Sequence, residues 1–117
     1  MKVVQAPLGS GVTGVTVEGR LDAATVPTLE QTLQRLLLEG QVRLVIDLAA
    51  VNYISSSGLR AMLTVRRQTR SRGGDVYLCS LHPRVREIFE MVGFVSVFGI
   101  YDSRDQAAAA FQSSVPA

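Results

Sequence analysis

The sequence predicts an α/β fold in which about four helices pack against a mixed, largely parallel β-sheet. Short runs rich in branched apolar residues alternate along the chain with segments of helical periodicity, and glycines follow the helical segments. Residues 42–48, VRLVIDL, form a nearly continuous apolar run, as central parallel strands do. This alternation favours right-handed crossovers onto one sheet, and 117 residues fit a single domain spanning 1–117.

The chain opens with the pattern of a β-hairpin. Residues 3–6 begin a short strand, residues 7–11 form a turn that contains Pro7 and two glycines, and residues 12–18 alternate well enough to form a second strand. The hairpin adds an antiparallel strand to the predicted parallel sheet.

A first helix follows the hairpin. Pro27 fits its first turn, where a missing backbone N–H costs little, and Gly40 is placed to end it. Its apolar residues recur at helical spacing: Val26, Leu29, Leu33, Leu36 and Leu37.

A second helix follows the central strand. Its helical pattern begins at Leu59, with Met62 and Leu63 on the same apolar stripe, and the double glycine at 73–74 stops it. Residues 75–80, DVYLCS, predict the next strand.

A third helix opens at His82 and Pro83 and ends at Gly93. Its inner face is expected to carry Val85, Ile88, Phe89 and Val92.

The remaining chain predicts a last strand and a last helix. Residues 95–101 are apolar and form the strand, and residues 103–111 form an Ala-rich helix capped by Ser103 or Asp102. Residues 112–117 are expected to be a frayed tail.

Composition excludes several classes of protein. Hydrophobic residues make up 47 % of the chain and charged residues 19 %, which indicates a packed globular protein rather than a disordered one. No apolar run approaches the ~20 residues that span a bilayer, and the N-terminal stretch lacks the apolar region of ~7 residues that a secretory signal needs. We therefore expect a cytoplasmic protein.

The lone Cys79 is expected to be a small buried hydrophobe.

Positive charge clusters once along the chain, in and just after the second helix. The net charge is only +2, and no aromatic platform or nucleic-acid reading motif accompanies the cluster. We interpret it as a solvated helix face whose cations complement the helix dipole. Its members are Arg60, Arg66, Arg67, Arg70 and Arg72.

The stretch VNYISSSGLR, residues 51–60, puts three serines and a glycine between the central strand and the second helix. Ser55 and Ser56 lie where a helix N-cap is needed, so we expect at least one hydroxyl to accept a hydrogen bond from a free backbone N–H. The same N–H groups and the helix dipole favour a phosphate, bound or covalent. A cap, a modification site and an anion cradle are all compatible with these residues.

Catalytic chemistry at these serines lacks support. A nucleophilic serine needs a base, and the one histidine, His82, stands beside a proline where it is better interpreted as a helix-start residue. The Gly-x-Ser-x-Gly elbow and the GxxxxGK[ST] phosphate loop are both absent. Asp47 has no second acid near it in sequence and is expected to orient its loop rather than to bind a metal.

Four stretches together resemble the STAS domain of bacterial anti-sigma factor antagonists over nearly the whole chain. They are VEGRLDAATVPTLEQTL, LVIDLAAVNYISSSGLRAMLTVRR, GGDVYLCSLHPRVREIFEMVGF and VFGIYDSRDQAAAAF. Most specific are the apolar strand with its Asp-Leu and the S-[ST]-G-L box that opens the second helix. The G-x-L-D motif of the family is present at residues 19–22.

The resemblance implies a protein-binding switch without a cofactor or metal, not an enzyme. In this family the antagonist docks on an anti-sigma factor with serine kinase activity, which frees a sigma factor. Phosphorylation of the first Ser of an Asp-Ser-[Ser/Thr]-Gly box breaks the contact, and a phosphatase resets it. By this resemblance the acceptor is Ser56, followed by Ser57 and the box glycine Gly58, while Ser55 replaces the usual Asp.

The resemblance also implies a docking surface made of the serine-containing loop, its helix and the nearby G-x-L-D loop. Asp22 and Arg60 are therefore further contact candidates, beside the four residues of the box. Neither nucleic acid nor membrane is an expected partner. The alternative, which the missing Asp favours, is an unphosphorylated STAS scaffold or accessory subunit of a transporter or signalling assembly.

Overall fold

The computed structural model describes residues 1–113 and contains one five-stranded sheet with the strand order β1-β2-β3-β4-β5. β1 is antiparallel to β2, and every other neighbouring pair is parallel. The predicted class, a mostly parallel sheet with four α-helices, is confirmed. The strands and helices are β1 (Lys2–Gly9), β2 (Val12–Glu18), α1 (Val26–Leu38), β3 (Arg43–Ala50), α2 (Ser56–Arg70), β4 (Asp75–Cys79), α3 (Pro83–Met91), the 3₁₀ turn η1 (Phe94–Ser96), β5 (Gly99–Tyr101) and α4 (Arg104–Ser113).

The main hydrophobic core lies between one face of the sheet and the helices α1, α2 and α3. Leu29 and Leu33 of α1 are fully buried in it, as their helical spacing predicts. Met62 of α2 and Phe89 of α3 join them above the β3 side chains. Apolar burial of this kind is worth about 25 cal/mol per Å², so this layer holds the three helices on the sheet.

The second face of the sheet carries a smaller core beneath α4. Val45 and Cys79 point to this side, Phe111 and Ala107 of α4 cover them, and the Phe111 ring stacks on Tyr77 with centroids 4.1 Å apart. Residues 44–48 of β3 are all buried because helices cover both faces. The prediction of a doubly buried central strand is confirmed.

The predicted turn at residues 7–11 is wrong for residues 7–9, which belong to β1. β1 continues through Pro7 to Gly9, with an irregular register between those two residues, and only Ser10 and Gly11 turn the chain. Pro7 is tolerated because β1 is an edge strand, where a missing N–H removes no sheet hydrogen bond on the open side. The turn residues have positive φ angles of 54° and 79°.

The predicted last strand, residues 95–101, is also wrong over most of its length. Phe94 opens a 3₁₀ turn, and β5 contains three residues only. The rings of Phe94 and Phe98 both pack near Phe89, at centroid distances of 5.7 Å and 6.1 Å, and this cluster bends the chain inward before β5. Val92, predicted on the inner face of α3, is 48 % exposed.

The end of the chain differs from the prediction in one respect. Residues 112–113 belong to α4 rather than to a frayed tail, and residues 114–117 of that predicted tail lie outside the described residues. Ser103 caps α4 by accepting a hydrogen bond from the N–H of Gln106 at 3.1 Å, which settles the choice between Ser103 and Asp102.

Candidate functional site

The serine loop, defined as residues 51–57, lies at the carboxyl edge of the parallel strands, between β3 and α2. The loop after β2 lies beside it, and the two are joined by backbone hydrogen bonds. The N–H of Leu21 donates to the carbonyl of Tyr53 at 3.0 Å, and the N–H of Ser55 donates to the carbonyl of Leu21 at 2.7 Å. The G-x-L-D motif, residues 19–22, and the serine box, residues 55–58, therefore form one connected surface, although more than thirty residues separate them in sequence.

Ser55 is the N-cap of α2. Its backbone is extended, with φ −88° and ψ 172°, and its Oγ accepts a hydrogen bond from the N–H of Gly58 at 3.3 Å. The Oγ of Ser57 lies 2.8 Å from the same hydroxyl. α2 begins at Ser56, three residues before the start at Leu59 that the apolar pattern predicts. The cap prediction is confirmed, and the cap is Ser55.

Gly58 is buried where the first turn of α2 meets the neighbouring loops. A Cβ on Gly58 would lie 2.7 Å from Cγ1 of Ile54 and 3.4 Å from Cβ of Leu21. Real Cβ atoms do not approach other carbons to 2.7 Å, so the helix comes this close only because the residue has no side chain. The box glycine thus fixes the position of the two serines that precede it.

Ser56 is the first residue of α2, and its side chain is exposed. Among the described residues its hydroxyl has no hydrogen-bond partner, since Ser55 supplies the cap and Ser57 contacts Ser55. The first N–H groups of a helix lack partners within the helix and give this end a partial positive charge. The Ser56 hydroxyl is therefore accessible at a position that tolerates added negative charge.

Asp22 stabilises the loop after β2, which lies beside the serine box, through hydrogen bonds to its backbone. Its Oδ1 accepts hydrogen bonds from the N–H groups of Ala24 and Thr25, both at 3.1 Å, just before α1 begins. Its Oδ2 lies 3.8 Å from Nε of Arg20. Partial burial alone would raise the pKa of Asp22, but the hydrogen bonds from Thr25 and Ala24 and the nearby Arg20 lower that pKa below its usual range. Asp22 is thus ionised and held in one orientation.

Arg20 and Tyr53 form a contact that the sequence does not predict. The Arg20 guanidinium carbon lies 4.2 Å from the centroid of the Tyr53 ring, and the Tyr53 side chain is 38 % exposed. This cation–π pair crosses from the G-x-L-D loop to the serine loop and adds an exposed aromatic ring beside the box. Arg20 occupies the variable position of its motif, so no local signal predicts the pair.

Arg60 lies one helical turn after Ser56 and is exposed, without an ion-pair partner among residues 1–113. Arg67 is exposed too, as predicted for a solvated helix face. Arg70 pairs with Asp75 at 3.1 Å, and Arg72, just beyond α2, donates a hydrogen bond to the carbonyl of Leu37 at 2.7 Å. Arg66 is different, because it is half-buried and its guanidinium carbon lies 5.9 Å from the Phe98 ring centroid.

Asp47 and His82 have the structural roles that the sequence predicts. Asp47 accepts a hydrogen bond from the N–H of Ala49 at 3.0 Å and lies 3.5 Å from Nη2 of Arg104. His82 accepts one from the N–H of Arg84 at 3.2 Å and so caps α3. Within residues 1–113 no group of three or more His, Cys, Asp or Glu side chains is placed to hold a metal ion.

Cys79 is buried, as predicted. Its burial, together with the nearby Asp47, raises the pKa of the thiol to about 11. The thiol is therefore protonated at neutral pH and is a poor nucleophile.

Two further observations concern the helices and a cleft away from the serine loop. Among the helices of residues 1–113, none has the length and apolar character that crossing a bilayer requires. A cleft of about 360 Å³ lies between the β1–β2 hairpin and the end of α1, lined in part by Thr13, Leu36 and Gln41. This cleft is at the amino edge of the sheet, opposite to the serine loop.

Comparison with known proteins identifies the family. The family model of the STAS domain matches residues 4–107. The chain belongs to the STAS domain family. BtrV of Bordetella bronchiseptica, whose name provisionally calls it an anti-sigma factor antagonist, is 43 % identical to this STAS domain over 100 residues, or 86 % of each chain.

Solved structures agree with this assignment. An anti-sigma factor antagonist from Mycobacterium paratuberculosis superposes on this STAS domain with a TM-score of 0.85 and 27 % identity, covering 95 % of this chain and 93 % of the other. SpoIIAA of Bacillus in its phosphorylated form has the same fold, with a TM-score of 0.73 and 15 % identity over 93 % of this chain and 98 % of that one.

Proposed function

We propose that this STAS domain is an anti-sigma factor antagonist controlled by phosphorylation of Ser56. In this proposal the unphosphorylated domain binds an anti-sigma factor with serine kinase activity and frees a sigma factor. The kinase then phosphorylates Ser56 and ends the contact, and a phosphatase restores it. One observation carries the proposal: the Ser56 hydroxyl is exposed and unbonded among the described residues, while Ser55 alone caps the helix.

The proposed docking surface combines the serine loop, the first turn of α2 and the loop after β2. Ser56 and Arg60 supply exposed polar contacts, and Asp22 supplies a fixed carboxylate. Ser55, Ser57 and the buried Gly58 support the surface by fixing the start of α2. Tyr53 with Arg20 adds an aromatic and a guanidinium group, the residue types that most often dominate binding energy in protein interfaces.

Phosphorylation at Ser56 would act on the interface rather than on the fold. A phosphate adds about −1.5 to −2 charges at neutral pH, and the start of a helix stabilises negative charge. With Ser55 where the family has Asp, no carboxylate adjoins the phosphate within the box. Docking is lost because the phosphate would no longer fit the contact surface and its hydrated dianion would have to lose water in the interface.

The activity in this proposal is binding, without catalysis, a cofactor or a direct contact with nucleic acid. Transcription is regulated through the protein partner, and we place the interaction in the cytoplasm. The names of the relatives support an anti-sigma factor as that partner.

A second candidate function is that of an unphosphorylated scaffold or accessory subunit in a transporter or signalling assembly. The replacement of the family's Asp by Ser55 favours it, because the kinase would meet an altered box. Under this alternative the same surface binds a partner, but Ser56 carries no phosphate.

Affinity capture from the native cells, with quantitative mass spectrometry, tests the proposal. Wild type and Ser56→Ala should retain the same kinase-type partner, and Ser56→Asp should lose at least tenfold of it. Ser71→Asp is the matched control, since it makes the same Ser-to-Asp change at an exposed serine that follows α2, at the amino edge of the sheet, and it should bind like wild type. Equal capture by Ser56→Asp and wild type would contradict the switch.

A further inference from the structure

A patch of apolar side chains is exposed where α3 ends and η1 begins. Met91 is 84 % exposed, Val92 48 % and Val95 40 %. We call these three residues the α3 patch. Three exposed large apolar residues within five positions are unusual for a surface that only contacts water, and clustered exposure of this kind marks contact surfaces.

The chain that carries the α3 patch is anchored in the core by an aromatic ring. The ring of Phe94, between the patch residues in sequence, packs edge-on against Phe89 at 5.7 Å and against Phe98 at 5.7 Å. Phe89 and Phe98 are buried in the main core. The exposed residues of the patch therefore alternate in sequence with a ring that is anchored in the core.

Charges of opposite sign flank the α3 patch. Glu87 and Glu90 are exposed on α3, and Glu87 lies one helical turn before Met91. On α2 the Arg66 guanidinium carbon lies 5.9 Å from the centroid of the Phe98 ring, which itself packs against Phe94, and the next residue, Arg67, is exposed. None of the four charged side chains has an ion-pair partner among the described residues.

This arrangement is complementary to itself. In a two-fold dimer the same surface of both subunits meets, so that residue i contacts residue j and residue j contacts residue i. The acidic side of one copy would then face the basic side of the other across a shared apolar centre. An anionic membrane or a nucleic acid fits less well, because both glutamates would approach its negative charge.

We propose that the α3 patch is a self-association surface whose occupant is a second copy of this chain. Met91, Val92 and Val95 of the two copies form the centre, and Glu87 and Glu90 of each copy pair with Arg66 and Arg67 of the other copy. This inference goes beyond the proposed function and does not depend on it.

The α3 patch lies far from the serine loop. α3 runs from the end of β4 back to the start of the parallel strand β5, so it ends at the amino edge of the sheet. The serine loop lies at the carboxyl edge. A dimer formed through the α3 patch leaves both serine loops free and presents two docking sites, which raises avidity for a partner that is itself dimeric.

Sedimentation equilibrium or light scattering of the full chain, from low to high micromolar concentration, tests the proposal. Wild type is expected to form a concentration-dependent dimer, and Met91→Glu should weaken it at least tenfold. Met91 is so exposed that this change should leave the circular dichroism spectrum and the melting temperature unchanged. Glu30→Arg, on the exposed face of α1, is the matched control and should dimerise like wild type.

A charge swap gives the sharper test. Glu90→Arg and Arg67→Glu should each weaken self-association, because each places like charges opposite one another. An equimolar mixture of these two variants should restore the dimer, since both cross-subunit pairs then have opposite charges.

Three results would overturn the proposal. They are a monomer at every concentration, a dimer that Met91→Glu and both charge variants leave intact, and swapped variants that fail to associate when mixed. A persistent monomer that floats with vesicles of phosphatidylcholine and phosphatidylglycerol would instead assign the α3 patch to a lipid surface.

Discussion

The starts of α2 and α3 lie at the same edge of the sheet, and different side chains bond to the free backbone N–H groups of their first turns. His82 caps α3 through a hydrogen bond from Arg84, and Pro83 presets the backbone of its first residue. Ser55 caps α2, but the first turn of α2 also carries an unbonded hydroxyl on Ser56 and a buried Gly58. The start of α2 therefore differs from that of α3 by one exposed hydroxyl that bonds to nothing within the described residues.

Under the proposed function, this difference assigns the modification to the start of α2. The extra hydroxyl of Ser56 lies beside a cap and a glycine that hold it in place without using it. Its frame also includes the backbone hydrogen bonds between Leu21 and residues 53 and 55. A modification switch requires such an arrangement: an exposed hydroxyl that bonds to no other described residue, at a position fixed by its neighbours.

The largest expected effect comes from Gly58→Ala. The added Cβ would meet Cγ1 of Ile54 at 2.7 Å, so the helix start must shift or the core must repack. Overpacking of this kind costs typically ~1–3 kcal/mol, and urea unfolding should show the loss. Partner capture should fall as well, because Ser56 moves with the helix. An unchanged unfolding midpoint would show that the close approach is not needed.

Removing the α2 cap should have a smaller effect. Ser55→Ala deletes the acceptor for the Gly58 N–H, which costs about 1 kcal/mol for a helix N-cap. Ser57→Ala is the comparison, since within residues 1–113 the Ser57 hydroxyl bonds to Ser55 alone and its loss should matter less. If thermal unfolding ranked the two variants in the opposite order, Ser55 would not be the working cap.

Ser56→Ala should barely alter stability. Its hydroxyl has no partner among the described residues, and exposed substitutions of this sort change the free energy of unfolding by less than ~0.5 kcal/mol. Parallel urea titrations of this variant and of Ser55→Ala measure the contrast. A loss from Ser56→Ala as large as that from Ser55→Ala would make both serines structural and remove the difference from α3.

The pH dependence of Asp22 gives the most subtle effect. Its pKa is lowered in the folded protein, so its contribution to stability is present above the usual carboxyl pKa of about 3.9 and is lost as pH falls through the lowered value. The melting temperature of wild type should therefore exceed that of Asp22→Asn at neutral pH and approach it in strong acid. A constant difference across that range would mean that the charge of Asp22 contributes nothing.

Most of the fold was predictable because local pattern and tertiary packing agree. β3 is apolar on both faces and is covered on both faces, and Leu29 and Leu33 of α1 recur at the spacing that buries them. The region of Phe94 and Phe98 was not predictable in this way. Its rings turn toward Phe89 of another element, and an apolar run by itself does not distinguish a strand from such a cluster.

The candidate site was predictable in its chemistry but not in its geometry. Serine residues before a helical pattern indicate a cap. The apolar pattern, however, predicts a start of α2 three residues too late, because Ser56, Ser57 and Gly58 contribute nothing to apolar periodicity. The contact of Arg20 with Tyr53 joins two loops through tertiary structure. No spacing rule within either loop reveals it.

Phosphopeptide mapping of residues 51–60 in protein purified from its native cells tests the central claim most directly. Samples taken across growth and stress conditions should contain phosphate on Ser56, in a fraction that changes with the conditions, and none on Ser55 or Ser57. A well-detected peptide that is unmodified under every condition, or that carries phosphate only on a neighbouring serine, would contradict the proposed switch at Ser56.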